Sequence, residues 1–255
     1  MGLRLKNTYS KRLETFVARD VAKPVTIYTC GPTVYSHSHI GNFRSFLMAD
    51  VLRRVLERRG HRVRHVMNIT DVGHLTEDHV ADPTGEDKLA KAGRALGWDP
   101  YRVARHFESS FVEDARALRI QSYLGTEADD PSLHPRATEH VAEMLALIQR
   151  LLERGYAYAD GQGQVYFSVE RVPKYGQLSG KVLAQLLPGA RVALREHKQD
   201  PRDFALWKVD PKHLMRWDPH SPSGWSASAY ERLRTLLPGG VSPAVGTGFP
   251  GWHIE

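Results

Sequence analysis

The sequence predicts an α/β protein built around a parallel sheet. Three observations carry that prediction. An apolar run, Val25-Thr26-Ile27-Tyr28-Thr29, leads into a turn and helix start spanning Cys30 to Asn42. An amphipathic helix follows over 43–59. A second strand-like segment then covers 61–68 and closes on Asn68-Ile69-Thr70-Asp71. Strand, helix and strand in that order form the smallest unit that sets two strands parallel.

Residues 24–30 read as a buried parallel strand. In the helix, Leu47, Val51 and Val55 recur at four-residue spacing, as do Met48, Leu52 and Leu56, which predicts an apolar stripe. Gly60 stops it as a C-terminal cap. In the next strand Val63, His65 and Met67 alternate with their neighbours. Residues 76–94 are polar and read as a loop running into a short helix. Residues 100–120 read as a helix with Val103, Phe107, Phe111 and Leu118 as its stripe, and 122–137 as a connector rich in Asp and Pro. Val141, Met144, Leu145, Ile148, Leu151 and Leu152 predict a further helix capped by Gly155. Residues 156–169 read as a β-hairpin whose glycines supply the turn. Residues 170–200 read as a basic loop with a short helix. Phe204 to Lys208 returns to a core. Beyond Asp210 only 229–237 has a helical pattern, among frequent prolines and glycines. No internal repeat is visible.

The chain has 255 residues and a single cysteine. That length allows one large α/β domain or one with a substantial insertion. One cysteine excludes an intrachain disulfide framework and fits a reducing compartment. No apolar stretch reaches the length of a membrane span, and the N-terminus has no apolar signal core, so a cytoplasmic location is expected. The net charge of +6 and pI of about 9.4 favour polyanionic partners. The basic peak at Arg53, Arg54, Arg58, Arg59, Arg62 and Arg64 reads either as a solvated helix face or as a contact for ATP or RNA.

The richest chemistry lies at His39-Ile40-Gly41-Asn42. There a strand, a turn and a helix N-terminus meet, and outward N–H groups with the positive helix end can hold phosphates. Gly41 has no Cβ, so a flat adenine or ribose could lie against the backbone. An imidazole there can donate to phosphate oxygens that gain charge as an adenylate forms. Asn68 to Asp71 ends the second strand, at the sheet edge where α/β ligand sites form.

Six segments together make the chain recognisable: Cys-Gly-Pro-Thr-Val-Tyr (30–35), His-Ile-Gly-Asn (39–42), Asn-Ile-Thr-Asp (68–71), Glu-Asp-Lys-Leu (86–89), Asp-Phe-Ala-Leu-Trp-Lys (203–208) and Pro-Gly-Trp-His-Ile-Glu (250–255). In order and spacing the chain resembles the N-terminal half of cysteinyl-tRNA synthetases. The resemblance implies a class I, Rossmann-type parallel-sheet catalytic domain, here incomplete, with an α-rich connective insertion carrying the β-hairpin. On that reading 1–99 is the first half of the nucleotide-binding domain, 100–200 the insertion, and 201–255 a truncated return toward the catalytic domain.

The implied activity is ATP-dependent formation of cysteinyl-adenylate and transfer of cysteine to tRNA-Cys, with ATP and Mg2+. His39 and Asn42, the latter in place of the family's second histidine, are implied as catalytic. Thr33, His39, Gly41 and Asn42 are implied to bind ATP, and Cys30, Thr70 and Trp252 to bind cysteine. Cys30 resembles the first ligand of the family's Zn2+, whose bond to the substrate thiol selects cysteine. The family's other zinc ligands fall beyond Glu255, as do its second ATP-binding loop and anticodon-binding domain. Low or no aminoacylation and weak zinc retention by these residues alone are therefore expected. His37, His74 and His253 are substitute ligands to consider. Two alternatives share the resemblance: the cysteine ligase of mycothiol synthesis, and a non-catalytic module binding tRNA or a partner. The resemblance leaves open the oligomeric state and the fold of an extra segment around Ser226 to Pro243.

Overall fold

The computed structural model describes residues 2–72, 88–180, 198–210 and 213–254. A short antiparallel hairpin comes first, β1 (Arg4–Lys6) with β2 (Leu13–Thr15). β3 (Val25–Thr29) and β4 (Val63–Met67) then pair in parallel, Val25 opposite Val63 and Thr29 opposite Met67. The helix that crosses between them is α1 (Ile40–Arg58). The predicted strand–helix–strand unit is therefore present. The pairing continues beyond the strands, because Thr33 bridges Thr70 and Ile69 bridges Arg136, both in parallel sense. The chain at 133–137 thus covers the side of β4 away from β3, with the Met67 N–H donating to the Leu133 carbonyl at 2.9 Å.

α1 buries only part of the predicted stripes, with Leu56 buried and Leu47 packed against the buried cluster, while most of its packed side is not the predicted one. Phe43, Phe46, Ala49, Asp50, Arg53 and Leu56 are buried, whereas Met48 is 71% and Val51 54% exposed. The reason lies in α3 (Pro100–Ala117), capped by Asp99. Phe111 of α3 stacks on Phe43 at 5.4 Å and meets Phe46 edge-on at 5.3 Å, beside Met67 and Tyr123. Aromatic rings bury more area than the Leu and Val stripe offers, so they choose the packed side. In α3 itself Val103 and Phe111 are buried, but Leu118 is exposed.

Charge reinforces that choice. Arg53 is almost fully buried and donates from both terminal nitrogens to Glu127, at 2.6 and 2.7 Å, and from Nε to Glu57 at 2.9 Å. Arg54 pairs with Asp50, Arg62 donates to the Ala22 carbonyl, and Arg64 donates to the Ser132 hydroxyl. The basic peak is therefore neither a wholly solvated face nor a bare polyanion contact, because these four arginines are engaged within the fold.

α2 (Lys88–Leu96) lies where a short helix was expected, while the loop reading over 76–87 lies outside the described residues. α4 (Val141–Glu153) buries Val141, Met144, Leu145 and Ile148 as predicted. The hairpin is also present, β5 (Ala157–Ala159) with β6 (Val165–Phe167), turning through Gly161 and Gly163, both at positive φ. β7 (Phe204–Lys208) pairs with β6, and β8 (Phe249–Pro250) with β7, giving a four-stranded antiparallel sheet. A loop and a short helix were expected within 170–200, of which 181–197 lie outside the described residues. The extra segment after Trp217 folds as α5 (Ala227–Leu236), capped by Ser226 and laid against α4. Arg232 of α5 donates to Glu143 at 3.0 Å, and the Ser242 N–H donates to the Gln149 side chain at 2.8 Å.

Candidate functional site

The site is built on the turn that leaves β3. Gly31 donates its N–H to Asn68 Oδ1 at 3.0 Å, and Asn68 Nδ2 donates to Thr70 Oγ1 at 3.1 Å. The Thr70 N–H donates to the Pro32 carbonyl at 3.0 Å, and the Val34 N–H to the Thr70 carbonyl at 3.1 Å. Cys30 to Val34 is therefore folded across the end of β4, with Thr33 set beside Thr70. Gly31 is obligatory there: a Cβ would lie 1.9 Å from the Asn68 carbonyl oxygen. Cys30 is exposed at the head of this turn.

Asp71 serves the scaffold. It is buried and accepts from the Thr138 N–H at 2.9 Å and the Thr138 hydroxyl at 2.6 Å. Burial pushes its carboxyl above the ordinary range, while the two Thr138 bonds oppose that rise. A fixed carboxylate one residue from Thr70 holds this sheet end to the segment at 138.

The helix start is self-capping. His39 is the N-cap of α1, in extended conformation, and its Nδ1 accepts from the Gly41 N–H at 3.0 Å. Asn42 Oδ1 accepts from the His39 N–H at 3.0 Å. Two otherwise unmet donors are thus satisfied reciprocally. The cap also fixes chemistry. With Nδ1 accepting, neutral His39 carries its proton on Nε2, which makes Nε2 a donor. Asn42 likewise has its oxygen occupied and retains its NH2 as a donor. Gly41 packs under the imidazole, where a Cβ would lie 2.8 Å from His39 Cε1. His39, Gly41 and Asn42 are all exposed.

His37 was read only as a possible metal ligand. It sits 2.8 Å from the Ser110 hydroxyl and packs edge-on against Phe107 at 5.0 Å, tying the 34–38 loop to α3. Asn68 joins Gly31 to Thr70, a positioning role that its place as the first residue of the strand-ending Asn-Ile-Thr-Asp segment does not by itself reveal.

Trp252 lies on the other sheet. β8 leads into it, the Gly251 N–H donates to the Leu206 carbonyl at 2.8 Å, and a Cβ on Gly251 would lie 2.2 Å from the Ala205 oxygen. Trp252 is 37% exposed, with its ring 5.5 Å from that of His253, which in turn meets Phe204 edge-on at 4.8 Å. The two sheets share one apolar cluster, which includes Val34, Ile69, Leu206, Trp207 and Phe249. The neighbours of Thr33 and Thr70 and those of Trp252 therefore belong to the same core.

A zinc centre requires about three protein ligands. Cys30 offers one, and among the described residues no group of three His, Cys, Asp or Glu side chains converges. His74 lies outside the described residues. The described residues do not by themselves fit a zinc centre.

A parallel sheet end carrying a self-capped His-Ile-Gly-Asn helix start, beside a Thr33–Thr70 bridge, agrees with the comparison to known families. Residues 16–229 match the family described as the tRNA synthetases class I (C) catalytic domain. The chain belongs to that family. Among similar proteins, cysteine--tRNA ligase of Salinibacter ruber is 45% identical over 99% of this chain and 43% of its own length. Cysteine--tRNA ligase of Thermus thermophilus is 44% identical over all of this chain and 46% of its own length. That of Deinococcus radiodurans is 45% identical over 91% of this chain and 39% of its own length. The chain thus spans somewhat under half the length of these curated relatives. For a class I synthetase catalytic domain the parallel β3–β4 pair is the expected scaffold, and the incomplete sheet agrees with the short span. No helix among the described residues is long and apolar enough to cross a membrane.

Proposed function

We propose that this chain forms the ATP- and cysteine-facing part of a cysteine--tRNA ligase, with tRNA-Cys as the final acceptor and a cytoplasmic setting. The observation that supports this most strongly is the reciprocal His39–Asn42 cap at the same sheet end as the Thr33–Thr70 bridge. In the reaction a cysteine carboxylate oxygen attacks the α-phosphorus of ATP. A cysteinyl-adenylate forms and pyrophosphate leaves. A terminal ribose hydroxyl of tRNA then attacks the carbonyl carbon and AMP departs. The His39 Nε2–H and the Asn42 NH2, both directed by the cap, donate to phosphate oxygens as charge moves onto pyrophosphate. Thr33 flanks the adenylate. Thr70, oriented by Asn68, lines the amino-acid pocket, with Trp252 as an aromatic wall. Mg2+ would accompany ATP. Cys30 faces the substrate thiol, and no step is assigned to zinc.

Calorimetric titration with ATP and Mg2+, then with cysteine, tests the reading. ATP should bind, Thr70→Ala should weaken cysteine, and His39→Asn should weaken ATP. Equal ATP affinity in the wild type and His39→Asn would exclude the assigned role of His39.

A further inference from the structure

The chain enters α1 without the contact that commonly fixes such an entry. Beside a reciprocal cap, an apolar residue just before the N-cap often packs on the fourth helical residue and sets the angle at which the chain arrives. His39 is the N-cap of α1, so the two positions here are Ser38 and Phe43. Ser38 has no apolar side chain to offer. The cap satisfies the N–H groups of His39 and Gly41, but it leaves the direction of the incoming chain unset.

α3 supplies the missing constraint from outside. Phe111 stacks on Phe43, with the ring centroids 5.4 Å apart and the planes at 11°. The preceding residue, Ser110, has its hydroxyl 2.8 Å from His37 Nδ1, and Phe107 meets the same imidazole edge-on at 5.0 Å. Two consecutive residues of α3 thus hold the His39–Asn42 tetrapeptide from both flanks. Among the described residues, the His37–Ser110 contact is the one hydrogen bond that ties His37 or Ser38 to the rest of the fold. α3 is itself firmly anchored. Phe111 is buried, and Glu108 accepts from Arg136 Nε at 2.8 and 3.0 Å. Arg136 bridges Ile69, the residue before Thr70. One helix therefore refers the entry to His39 and the sheet end at Thr70 to the same frame.

We propose that His37 and Ser110 are a positioning pair for the ATP-facing donors of His39 and Asn42. Neither is assigned a contact with ATP. Together they fix the path of the chain into the N-cap, so that His39 Nδ1 stays on the Gly41 N–H and Nε2–H stays aimed outward beside the Asn42 NH2. The proposal deepens the ATP-binding reading given above and rests on it for the ligand. The pair is a single hydrogen bond near the surface, so its loss should change the direction of the cap more than the stability of the fold.

Ser110→Ala, Ser110→Thr, His37→Ala and the double alanine variant of this chain test the proposal. Without ligand, nitrogen NMR shifts of the His39 imidazole at alkaline pH report its tautomer. The wild type and Ser110→Thr, which keeps the hydroxyl, should show the Nε2–H form. Ser110→Ala and His37→Ala should each show a mixture of both tautomers, with the helical signal and thermal midpoint close to wild type. Titration with ATP and Mg2+ should give about tenfold weaker binding in each alanine variant. The double variant should lose no more, because both substitutions remove the same bond. An unchanged His39 tautomer in Ser110→Ala, a Ser110→Thr variant that behaves like Ser110→Ala, or losses of ATP affinity that add in the double variant would each overturn the proposal. A wild type that binds no ATP would defeat the activity reading instead, and the His39 tautomer alone would then decide whether the pair sets the cap.

Discussion

Asn68 joins Thr70 to the turn after β3: its Nδ2 donates to the Thr70 hydroxyl at 3.1 Å while its Oδ1 accepts from the Gly31 N–H at 3.0 Å. One buried amide thus sets both the backbone beside Cys30 and the side chain proposed to face cysteine. Asn68→Ala should leave the Gly31 donor and the Thr70 hydroxyl without this partner, at a cost of about 1–3 kcal/mol. Asn68→Asp keeps the acceptor for Gly31 but loses the donor to Thr70. Denaturant unfolding should rank the losses Ala above Asp, whereas cysteine binding should suffer in both. Cysteine affinity unaffected by Asn68→Asp would remove Thr70 orientation from the account.

Arg53 locks α1, and with it the His39 cap, to the turn at Glu127. Its guanidinium is buried and bidentate, and its bonds hold the Glu127 carboxyl below the ordinary range. Arg53→Met should destabilise by about 3 kcal/mol, the low end for breaking a buried pair, because Glu127 is 36% exposed. Glu127→Gln should cost less. A double-mutant cycle should show coupling of about 1 kcal/mol or more. Additive single effects would mean that the pair does no clamping.

The parallel unit, the hairpin, α3 and α4 were legible because their signals are local: periodicity, glycine turns and caps. The buried side of α1 was legible only at Leu47 and Leu56. Two apolar arcs compete there, and the choice depends on Phe111 and Glu127, far along the chain. The tetrapeptide at 39–42 was legible as a helix start, but not as a reciprocal cap, since Asn42 reaching the His39 N–H is a matter of side-chain geometry. Asp71 and Thr70 look equivalent in sequence. Only the position of Thr138 shows that one is structural. Within 226–243 the helix was legible from its pattern at 229–237, and α5 (Ala227–Leu236) bears it out, but its docking on α4 was not, because the contacts Arg232–Glu143 and Ser242–Gln149 join segments far apart in the chain.

His65 and His134 should give stability a pH dependence. His65 is buried with Nε2 2.8 Å from the Thr29 hydroxyl, and burial lowers its pKa, with Arg53 and His134 adding to the fall and Asp50 and Glu127 opposing it. His134 donates from Nε2 to the Ser122 carbonyl at 2.8 Å, while its Nδ1 is buried and unsatisfied. Burial lowers its pKa too, against the pull of Asp130, Glu127 and Glu108. Both folded-state values lie below the unfolded one, so the unfolded chain takes up protons first. Stability should be full above pH ~6.5 and fall as pH drops below it, by at most ~1.4 kcal/mol per pH unit for each histidine. Urea midpoints between pH 8 and 5 check the slope, and His134→Gln should flatten it. A slope unchanged in that variant would place the titration elsewhere.

The cap at His39 allows stability and ligand binding to be separated in one position. His39→Ala loses the acceptor for the Gly41 N–H and should cost about 1 kcal/mol in stability. Asn is among the best N-cap residues, so His39→Asn should restore that stability. It is shorter than histidine and lacks the Nε2–H that the tautomer aims outward. ATP affinity should therefore remain reduced about tenfold, or ~1.4 kcal/mol, in His39→Asn even though the helix start is intact. Thermal unfolding and nucleotide titration on the same two variants distinguish the roles. If affinity recovers together with stability in His39→Asn, the histidine acts on ATP only by shaping the helix start, and the imidazole makes no phosphate contact of its own.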